Sequence, residues 1–161
     1  MLHATVVSFA SENADLTDKG LAFEKFVLSG FNPSQFRLLD TRAASMYPLS
    51  AHDPHLAYQV QNKKANFAIE CRFRESDYRH KFTWAETYQL SYYQRFQQKT
   101  QMPLYVVIGI GGLPSKPTHV YIIPFNTISN TTTLELSQFR ENERANANSE
   151  FIFDAVSGKL I

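Results

Sequence analysis

Cysteine is almost absent from this chain, which contains a single thiol, Cys71, in 161 residues. No disulfide can form within the chain, so a reducing compartment, the cytoplasm, is expected. Residues 1–10 contain neither a positively charged N-terminal region nor a long apolar segment, which argues against a signal peptide. Long hydrophobic runs are missing too, since no segment approaches the roughly 18 apolar residues that span a bilayer. These absences predict a soluble cytoplasmic protein with no membrane association.

Charge of one sign is not in excess either. The chain has 16 Lys and Arg against 15 Asp and Glu, a formal net charge of +1. That balance argues against a broad cationic surface for nucleic acid but not against a local basic patch, because the position of the charges sets the sign of a surface. Hydrophobic residues make up 43% and aromatics 14%, so we expect one folded domain, residues 1–161, with a substantial core.

Several common catalytic and cofactor motifs are missing. Gly109-Ile-Gly-Gly112 lacks the third glycine of a dinucleotide fingerprint, the Gly-Lys-Ser/Thr of a P-loop and a helix after it, so we interpret it as a strand exit. The 5 histidines include no helical pair and no cysteine partner, which argues against structural zinc. No serine lies in a Gly-x-Ser-x-Gly setting, so no hydrolase nucleophile is indicated.

One stretch, Asn66–Arg74, combines strand alternation with charge. Its odd-numbered residues are suited to a core, namely Phe67, Ile69, Cys71 and Phe73. Its even-numbered residues share the other face, and after Asn66 these are Ala68, Glu70, Arg72 and Arg74. Charges on a core strand are costly unless they are paired, solvated or bound to an ion. We therefore predict a functional site on the face that carries Glu70 and Arg72.

Hydrophobic periodicity and turn residues predict the elements around this strand. In chain order these are a helix from Asp15 to Gly30, strands Phe36–Thr41, Leu56–Val60 and Asn66–Arg74, a helix from about Thr83 to Gln98, strands Leu104–Ile110 and His119–Ile123, a short helix Leu134–Arg140 and an edge strand Phe151–Phe153. The polar segment 61–64 predicts an antiparallel hairpin, and the last two apolar strands before the short helix are expected to be covered on both faces. The sequence therefore predicts an α/β fold with a mixed central β-sheet flanked by helices.

The second helix carries two further signals. Thr83-Trp-Ala-Glu86 matches a capping box, in which threonine and glutamate satisfy each other's free backbone N–H groups. Aromatic residues four apart predict the apolar stripe of this helix, which would consist of Trp84, Tyr88, Tyr92 and Phe96. Gln89 and Tyr93 lie on a neighbouring stripe.

Side chains from three separate elements form a candidate metal site. The candidate ligands are Glu70 on the charged strand, Asp53 or His55 at the entrance to the strand before it, and Glu24 on the first helix. Two or three oxygen ligands from separate elements, with positions left for water and phosphate, suit Mg²⁺ or Mn²⁺. Arg72 could then balance phosphate charge, and Gln89 could orient a phosphate or a water. The alternative for Glu24 is a solvated residue on the helix surface.

The order of these elements resembles the PD-(D/E)XK nuclease superfamily, whose members share the restriction-endonuclease-like fold. The resemblance covers roughly residues 17–125 and includes three short motifs. Glu70-Cys71-Arg72 occupies the place of (D/E)-x-K, and Pro54-His55 the place of the Pro-Asp pair. The segment from Gln89 to Tyr93 matches the Gln-x-x-x-Tyr pattern of the RecB-like branch.

The resemblance implies a metal-dependent DNA endo- or exonuclease that hydrolyses phosphodiester bonds with Mg²⁺ or Mn²⁺ as cofactor. The catalytic residues that it implies are Glu70, Arg72 and Gln89. The metal ligands that it implies are Glu24, Asp53, His55 and Glu70. The nucleic-acid contacts that it implies are Lys63, Lys64, Arg74, Arg79, Lys81 and Tyr93. Many members of the superfamily dimerise to cut both strands, so a homodimer is a further expectation.

Two departures from the superfamily pattern motivate an alternative. The lysine is replaced by Arg72, which stays protonated at ordinary pH and so can stabilise charge but cannot act as a base. The second acid is replaced by His55, a poorer ligand for magnesium than a carboxylate, although Asp53 could substitute for it. The alternative function is a catalytically inactive nuclease-fold module that binds nucleic acid or a protein partner. A third interpretation is an α/β domain in which Glu-x-Arg occurs by chance.

Overall fold

The computed structural model describes residues 10–39, 56–60, 65–76, 81–154 and 156–161. The predictions for five site residues lie outside these ranges, namely those for Asp53, His55, Lys63, Lys64 and Arg79. In the described part of the chain, no helix is both long and apolar enough to cross a membrane.

Two α-helices and nine strands make up most of the described chain. Helix α1 is Ala10–Ser29, and it is followed by strands β1 (Phe36–Leu39), β2 (Leu56–Val60), β3 (Ala65–Arg74) and β4 (Phe82–Thr83). Helix α2 is Thr87–Thr100, and it is followed by β5 (Leu104–Leu113), β6 (Lys116–Pro124), a 3₁₀ helix Phe125–Thr127 and β7 (Thr133–Leu134). A second 3₁₀ helix, Leu136–Asn142, and strands β8 (Phe153–Asp154) and β9 (Lys159–Leu160) complete the described elements.

Five strands form a mixed sheet in the order β1-β2-β3-β5-β6. Strands β3 and β5 are parallel, while the β1–β2, β2–β3 and β5–β6 pairs are antiparallel. The predicted hairpin is therefore confirmed as the β2–β3 pair, and the parallel partner of β3 is reached through α2. This arrangement confirms the predicted α/β class with a mixed central sheet.

The alternation of β3 divides the hydrophobic core into two parts, one on each face of the sheet. Phe67 and Ile69 pack with Phe23 and Val27 of α1. Ala68, on the other face, packs in the cluster that contains Leu90, Tyr93 and Phe96 of α2. The two helices therefore cover opposite faces, and the even-numbered residues of β3 point towards α2.

Strand β5 lies between β3 and β6 and is buried along most of its length, as its unbroken apolar sequence predicts. Every residue from Leu104 to Ile110 is buried. Gly109 is required there by a close approach, because a β-carbon at this position would lie 2.5 Å from Cε2 of Phe23. The strand does not end at Gly111 as predicted but continues to Leu113, with Gly111 and Gly112 in the left-handed region at φ 68° and 69°.

The predicted start of α2 is wrong, and of the predicted apolar stripe only Phe96 is buried within the helix. The capping box is formed by Glu86 and Gln89, with the Gln89 Oε1 accepting a hydrogen bond from the Glu86 N–H at 2.8 Å. Trp84 lies before the helix, where its indole Nε1 donates to the Thr131 carbonyl at 2.8 Å. The buried residues of α2 are Leu90, Tyr93 and Phe96, whereas Tyr88 is 52% exposed.

The C-terminal predictions also need correction. The short helix expected at Leu134–Arg140 is present as the 3₁₀ helix Leu136–Asn142, but Leu134 belongs to strand β7 before it. The expected edge strand at Phe151–Phe153 begins at Phe153 as β8 and pairs with β9 rather than with the central sheet.

Candidate functional site

Glu70 occupies the middle of β3 on the face that α2 covers. It is only 1% exposed and is the one charged residue that is buried in the described part of the chain. Its neighbour in the parallel strand is Val106, so it is surrounded by apolar side chains on the sheet. A carboxylate in such surroundings is stable only with a cation or strong hydrogen bonds beside it.

Arg72, two residues along the same face, supplies that cation. Its Nη1 donates to the Glu70 carboxylate and also to the Cys71 carbonyl at 3.0 Å. Its Nε donates to the Trp84 carbonyl at 2.8 Å, and its Nη2 donates to the Tyr93 hydroxyl at 2.9 Å. Four acceptors therefore hold the guanidinium in one orientation.

The proton of Arg72 is held firmly. Burial alone would lower the pKa of Arg72, but the Glu70 charge and the hydrogen bonds with Glu70 and Tyr93 raise it overall. A guanidinium is already protonated at any ordinary pH. Arg72 can therefore stabilise negative charge on a ligand but cannot remove a proton from water.

Tyr93 joins this pair from α2. Its ring is stacked with Trp84 at a centroid distance of 6.0 Å and an interplanar angle of 18°. Burial raises the pKa of the Tyr93 hydroxyl, and the Glu70 charge raises it further, while Arg72 opposes both. The phenol is therefore neutral and accepts a hydrogen bond from Arg72.

Glu24 lies on the other side of the sheet from Glu70. It is a half-buried residue of α1, and its charge helps to raise the pKa of Tyr58 and of Cys71, both of which belong to the core beneath α1. Burial is the main cause of the raised pKa of the Cys71 thiol, followed by the charges of Glu70 and Glu24. Glu24 and Glu70 therefore act on the same thiol from opposite faces of β3.

Gln89 has a structural role at the start of α2. Its Oε1 accepts from the Glu86 N–H in the capping box, which occupies the amide oxygen that would orient a water or phosphate. Gln89 lies four residues before Tyr93, so one helix holds both residues of the Gln-x-x-x-Tyr motif on the side nearer the sheet.

The predicted basic contacts that are described lie past Arg72. Arg74 donates to the Phe73 carbonyl at 2.9 Å and to the Thr83 carbonyl at 2.8 Å, and its guanidinium carbon lies 5.6 Å from the centre of the Phe82 ring. Arg74 thus ties β3 to β4. Lys81, immediately before β4, is exposed.

Sequence reasoning missed Trp84 as a partner of Arg72. The atom that binds the guanidinium is the backbone carbonyl of Trp84, so no side-chain motif could indicate it. The nearest signal is the presence of a large aromatic residue just before the helix cap, where a buried ring fixes the course of the backbone.

The described residues contain only part of a donor set for a divalent ion. Glu70 is a buried oxygen ligand of the kind that Mg²⁺ and Mn²⁺ prefer. Within residues 10–39, 56–60, 65–76, 81–154 and 156–161, no three His, Cys, Asp or Glu side chains are placed to hold one ion. A complete site would need Asp53 or His55, which lie outside the described residues.

No protein-family model matches this chain. No curated protein matches it either. Among solved structures, it is similar to Hjc, a Holliday junction resolvase from the archaeal hyperthermophile Archaeoglobus fulgidus. The match has a TM-score of 0.53 at 15% sequence identity and covers 75% of this chain and 87% of the resolvase. At this identity the likeness concerns the fold alone, so the five-stranded mixed sheet and its helices have an arrangement similar to that of this resolvase.

Proposed function

We propose that this protein is a metal-dependent DNA nuclease that hydrolyses phosphodiester bonds. The observation that carries the proposal is the buried Glu70 carboxylate, two residues before a cation, on β3 of a fold similar to that of a DNA resolvase. A buried acid on a central strand is costly for stability, and ion binding is a function that would retain it.

Each residue of the proposed site has a distinct role. Glu70 would be the central ligand of Mg²⁺ or Mn²⁺, joined by Asp53 or His55, whereas Glu24, on the opposite face of β3, would not join this ligand set. The bound metal would supply the activation of water that phosphodiester hydrolysis needs. Arg72 would neutralise phosphate charge in the orientation that Tyr93 and the Trp84 carbonyl impose on it.

DNA contacts would come from basic residues at the end of β3 and in the segments on either side of that strand. Arg74 and Lys81 are the proposed contacts within the described residues. Lys63, Lys64 and Arg79, which lie outside the described ranges, are proposed as further contacts. Contacts of this kind position the phosphate backbone and do not read sequence. Their number would set how steeply DNA affinity falls with salt. A homodimer and a cytoplasmic location remain predictions.

A specific observation favours the second candidate, a catalytically inactive module. The Arg72 guanidinium already neutralises Glu70 and has four acceptors, so a stable arrangement exists without any metal. In the active protein, Glu70 would have to share its carboxylate between Arg72 and the metal ion. The ion pair therefore predicts weak metal affinity if the protein is a nuclease and no metal affinity if it is the inactive module.

The test is a cleavage assay on the full chain with Mn²⁺ or Mg²⁺. Supercoiled plasmid, linear duplex, single-stranded DNA and a four-way junction are the substrates. We expect cleavage that falls at least ~100-fold in Glu70→Gln, a loss of the size seen when a group that stabilises the transition state is removed. Glu70→Asp is a second variant because it keeps a negative charge for Arg72 and a carboxylate for the metal on a side chain one methylene shorter. Glu150→Gln, at an exposed acid, is the matched control.

Two outcomes separate the candidates. Equal cleavage by the wild type and by both Glu70 variants would show a contaminating activity and would overturn the nuclease proposal. No cleavage of any substrate, together with no heat of Mn²⁺ binding in calorimetry, would support the inactive module. Arg72→Lys sharpens the comparison, because an ammonium has three donors in place of the five of the guanidinium, is held less rigidly beside Glu70, and should leave the carboxylate more available to the metal.

A further inference from the structure

The outer side of α2 carries a row of aromatic and basic side chains that the proposed chemistry does not use. Tyr88, Tyr92, Arg95 and Lys99 follow each other at spacings of four, three and four residues, which places them on one side of a helix. The buried residues Leu90, Tyr93 and Phe96 occupy the side that faces the sheet. We call the four outer residues the α2 stripe.

The two tyrosines of the α2 stripe are accessible despite their size. Tyr88 is 52% exposed and Tyr92 is half-buried. Large aromatic rings at the surface cost hydration free energy, and they are enriched where a protein binds a partner. The predicted apolar stripe placed both rings in the core, but Tyr88 lies at the surface and Tyr92 is only partly buried, so both can be reached by a partner.

The charge of α2 indicates an anionic partner. The 14 residues Thr87–Thr100 include Arg95 and Lys99 but no aspartate or glutamate. A helix surface without carboxylates, on a chain with a net charge of only +1, concentrates positive charge locally. The Arg95 guanidinium carbon lies 5.6 Å from the centre of the Tyr92 ring, so one of the charges is held against one of the rings.

We propose that the α2 stripe binds single-stranded nucleic acid. Bases would stack on Tyr88 and Tyr92, while Arg95 and Lys99 would contact the phosphates, which is the combination that non-specific single-strand binding requires. The two rings are one helical turn apart, about 5–6 Å along the axis. That separation suits bases that have left the continuous stack of a duplex, where neighbouring base pairs are only about 3.4 Å apart.

The stripe begins at the end of α2 that lies next to the candidate site. The Trp84 carbonyl, just before the helix cap, accepts a hydrogen bond from Arg72, and Tyr93 is the sequence neighbour of Tyr92. A strand bound along the stripe would thus lead towards the Glu70–Arg72 pair. This inference deepens the proposed nuclease function and rests on it for the choice of nucleic acid, but binding at the stripe needs no metal.

The test is fluorescence anisotropy of the full chain with labelled oligonucleotides in EDTA, which prevents metal-dependent cleavage. The probes are oligo(dT) and oligo(rU) of about 15 nucleotides, within the range of known single-strand sites, and a duplex of the same length. We expect both single strands, or the DNA strand alone, to bind more tightly than the duplex. The double variant Tyr88→Ala/Tyr92→Ala should raise the Kd for oligo(dT) at least ~10-fold, because stacking on an aromatic ring contributes about 1–3 kcal/mol per base.

Matched variants separate stacking, charge and fold. Tyr88→Phe/Tyr92→Phe keeps the rings and should keep the affinity. Ile152→Ala changes an apolar residue of similar exposure, 54%, just before β8 and should have no effect. Arg95→Gln and Lys99→Gln should each reduce the slope of log affinity against log salt by about 0.7, the value for one contact with a single strand.

Three results would overturn the proposal: no binding of either oligonucleotide, duplex binding as tight as single-strand binding, or unchanged affinity in the double alanine variant. The first of these would leave a protein partner as the ligand of the stripe. Failure of the nuclease proposal is distinguishable, since a chain that binds oligo(dT) through the stripe in EDTA but never cleaves DNA supports the inference alone. Cleavage that depends on Glu70 but is unchanged in the stripe variants would support the nuclease proposal and contradict the inference about the α2 stripe.

Discussion

Arg72 and Glu70 form a buried ion pair across two positions of a single strand, β3, with both side chains on the face that α2 covers. The pair is completed from outside the strand, by the Tyr93 hydroxyl and the Trp84 carbonyl. The same contacts therefore form the candidate site and hold α2 against the sheet. Changes that affect the proposed chemistry are expected to affect stability, and the following predictions measure both.

Replacement of Arg72 by glutamine should destabilise the fold strongly. The variant would leave Glu70 charged in an apolar setting without its cation, and breaking a buried pair in this way costs about 3–5 kcal/mol. Urea denaturation followed by tyrosine and tryptophan fluorescence measures the free energy of unfolding. The double variant Glu70→Gln/Arg72→Gln should lose less than the sum of the single changes, because the orphaned charge is removed.

Arg37→Gln is the control for the Arg72 variant. Arg37 is exposed on β1, where it donates to the Gln59 side chain at 3.0 and 2.6 Å. Exposed contacts of this kind contribute little, so a loss within about 1 kcal/mol is expected. A similar loss from Arg37→Gln and Arg72→Gln would contradict the importance of the buried pair.

Tyr93→Phe isolates the hydrogen bond to the Arg72 guanidinium. The ring would keep its stacking on Trp84 and its edge contact with Phe125, so the change removes only the hydroxyl. A hydrogen bond to a charged group contributes about 1.5–3 kcal/mol, and the free energy of unfolding should fall by that amount. In the nuclease assay, Tyr93→Phe should also lower activity, because the Arg72 guanidinium would no longer be held in one orientation by the Tyr93 hydroxyl.

Tyr105→Phe provides the neutral counterpart of the same change. The Tyr105 hydroxyl donates to the Gly158 carbonyl at 2.8 Å, a bond between uncharged groups. Its loss should cost about 0.5–1.5 kcal/mol and leave activity unchanged. Equal effects of the two substitutions on both stability and activity would show that the charge of Arg72 has no part in the Tyr93 bond.

The central fold could be predicted because its signals are local. The period of two in Asn66–Arg74 and the apolar run of Leu104–Ile110 each depend on neighbouring residues alone, and both appear in the structure as β3 and β5. The α2 cap was misplaced because Thr83-x-x-Glu86 fits the Ser/Thr-x-x-Glu/Gln pattern, whereas the observed box, Glu86-x-x-Gln89, begins with a glutamate that the pattern does not include. What separates them is a tertiary contact, the bond from the Trp84 indole to Thr131, 47 residues along the chain.

The candidate site was only partly accessible from the sequence for the same reason. The spacing of Glu70 and Arg72 places them on one face of a strand, which the structure shows. The acceptors that complete the guanidinium come from a backbone carbonyl and from another helix. Contacts that form only when distant elements pack produce no periodic pattern in the sequence. The sequence therefore predicted neither the contact of Arg72 with Trp84 nor the burial of Tyr93 against the sheet.

The free energy of unfolding should fall in alkaline solution. Burial raises the pKa of the Tyr58 hydroxyl above its ordinary value of 10.0, and Tyr93 and the Cys71 thiol are raised in the same direction, mainly by burial. Above about pH 9–10 the unfolded chain loses protons that the folded chain retains, so stability is full below this range and decreases as pH rises through it. Denaturation midpoints measured from pH 7 to 11 give the profile.

Tyr58→Phe tests whether the Tyr58 hydroxyl accounts for part of the loss of stability in alkaline solution. The Tyr58 hydroxyl is buried without a hydrogen-bond partner among the described residues, so its removal should leave stability at pH 7 unchanged or raise it by about 1 kcal/mol. The alkaline decrease should become shallower, because one group no longer titrates. A variant that is clearly less stable at pH 7, with an unchanged alkaline slope, would contradict this account. Tyr88→Phe, at a half-exposed ring, is the control.

Two glycine-to-alanine changes should have opposite signs, because one glycine is tightly packed and the other is open. At Gly109 of β5 an added β-carbon would lie 2.5 Å from the Phe23 ring, and overpacking of this kind costs about 1–3 kcal/mol. At Gly20, inside α1, the same atom has no neighbour within 4 Å. Alanine there should stabilise the helix by about 0.5–1 kcal/mol, since glycine loses more backbone freedom on folding.

Thermal denaturation of both glycine variants measures the difference directly. The midpoint should fall for Gly109→Ala and rise for Gly20→Ala. Gly109→Ala/Phe23→Leu is the decisive third variant, because a smaller side chain at position 23 makes room for the new methyl group. That double variant should lose less than the sum of its two single changes. Simple addition of the two losses would mean that the contact between α1 and the centre of β5 does not set the requirement for glycine.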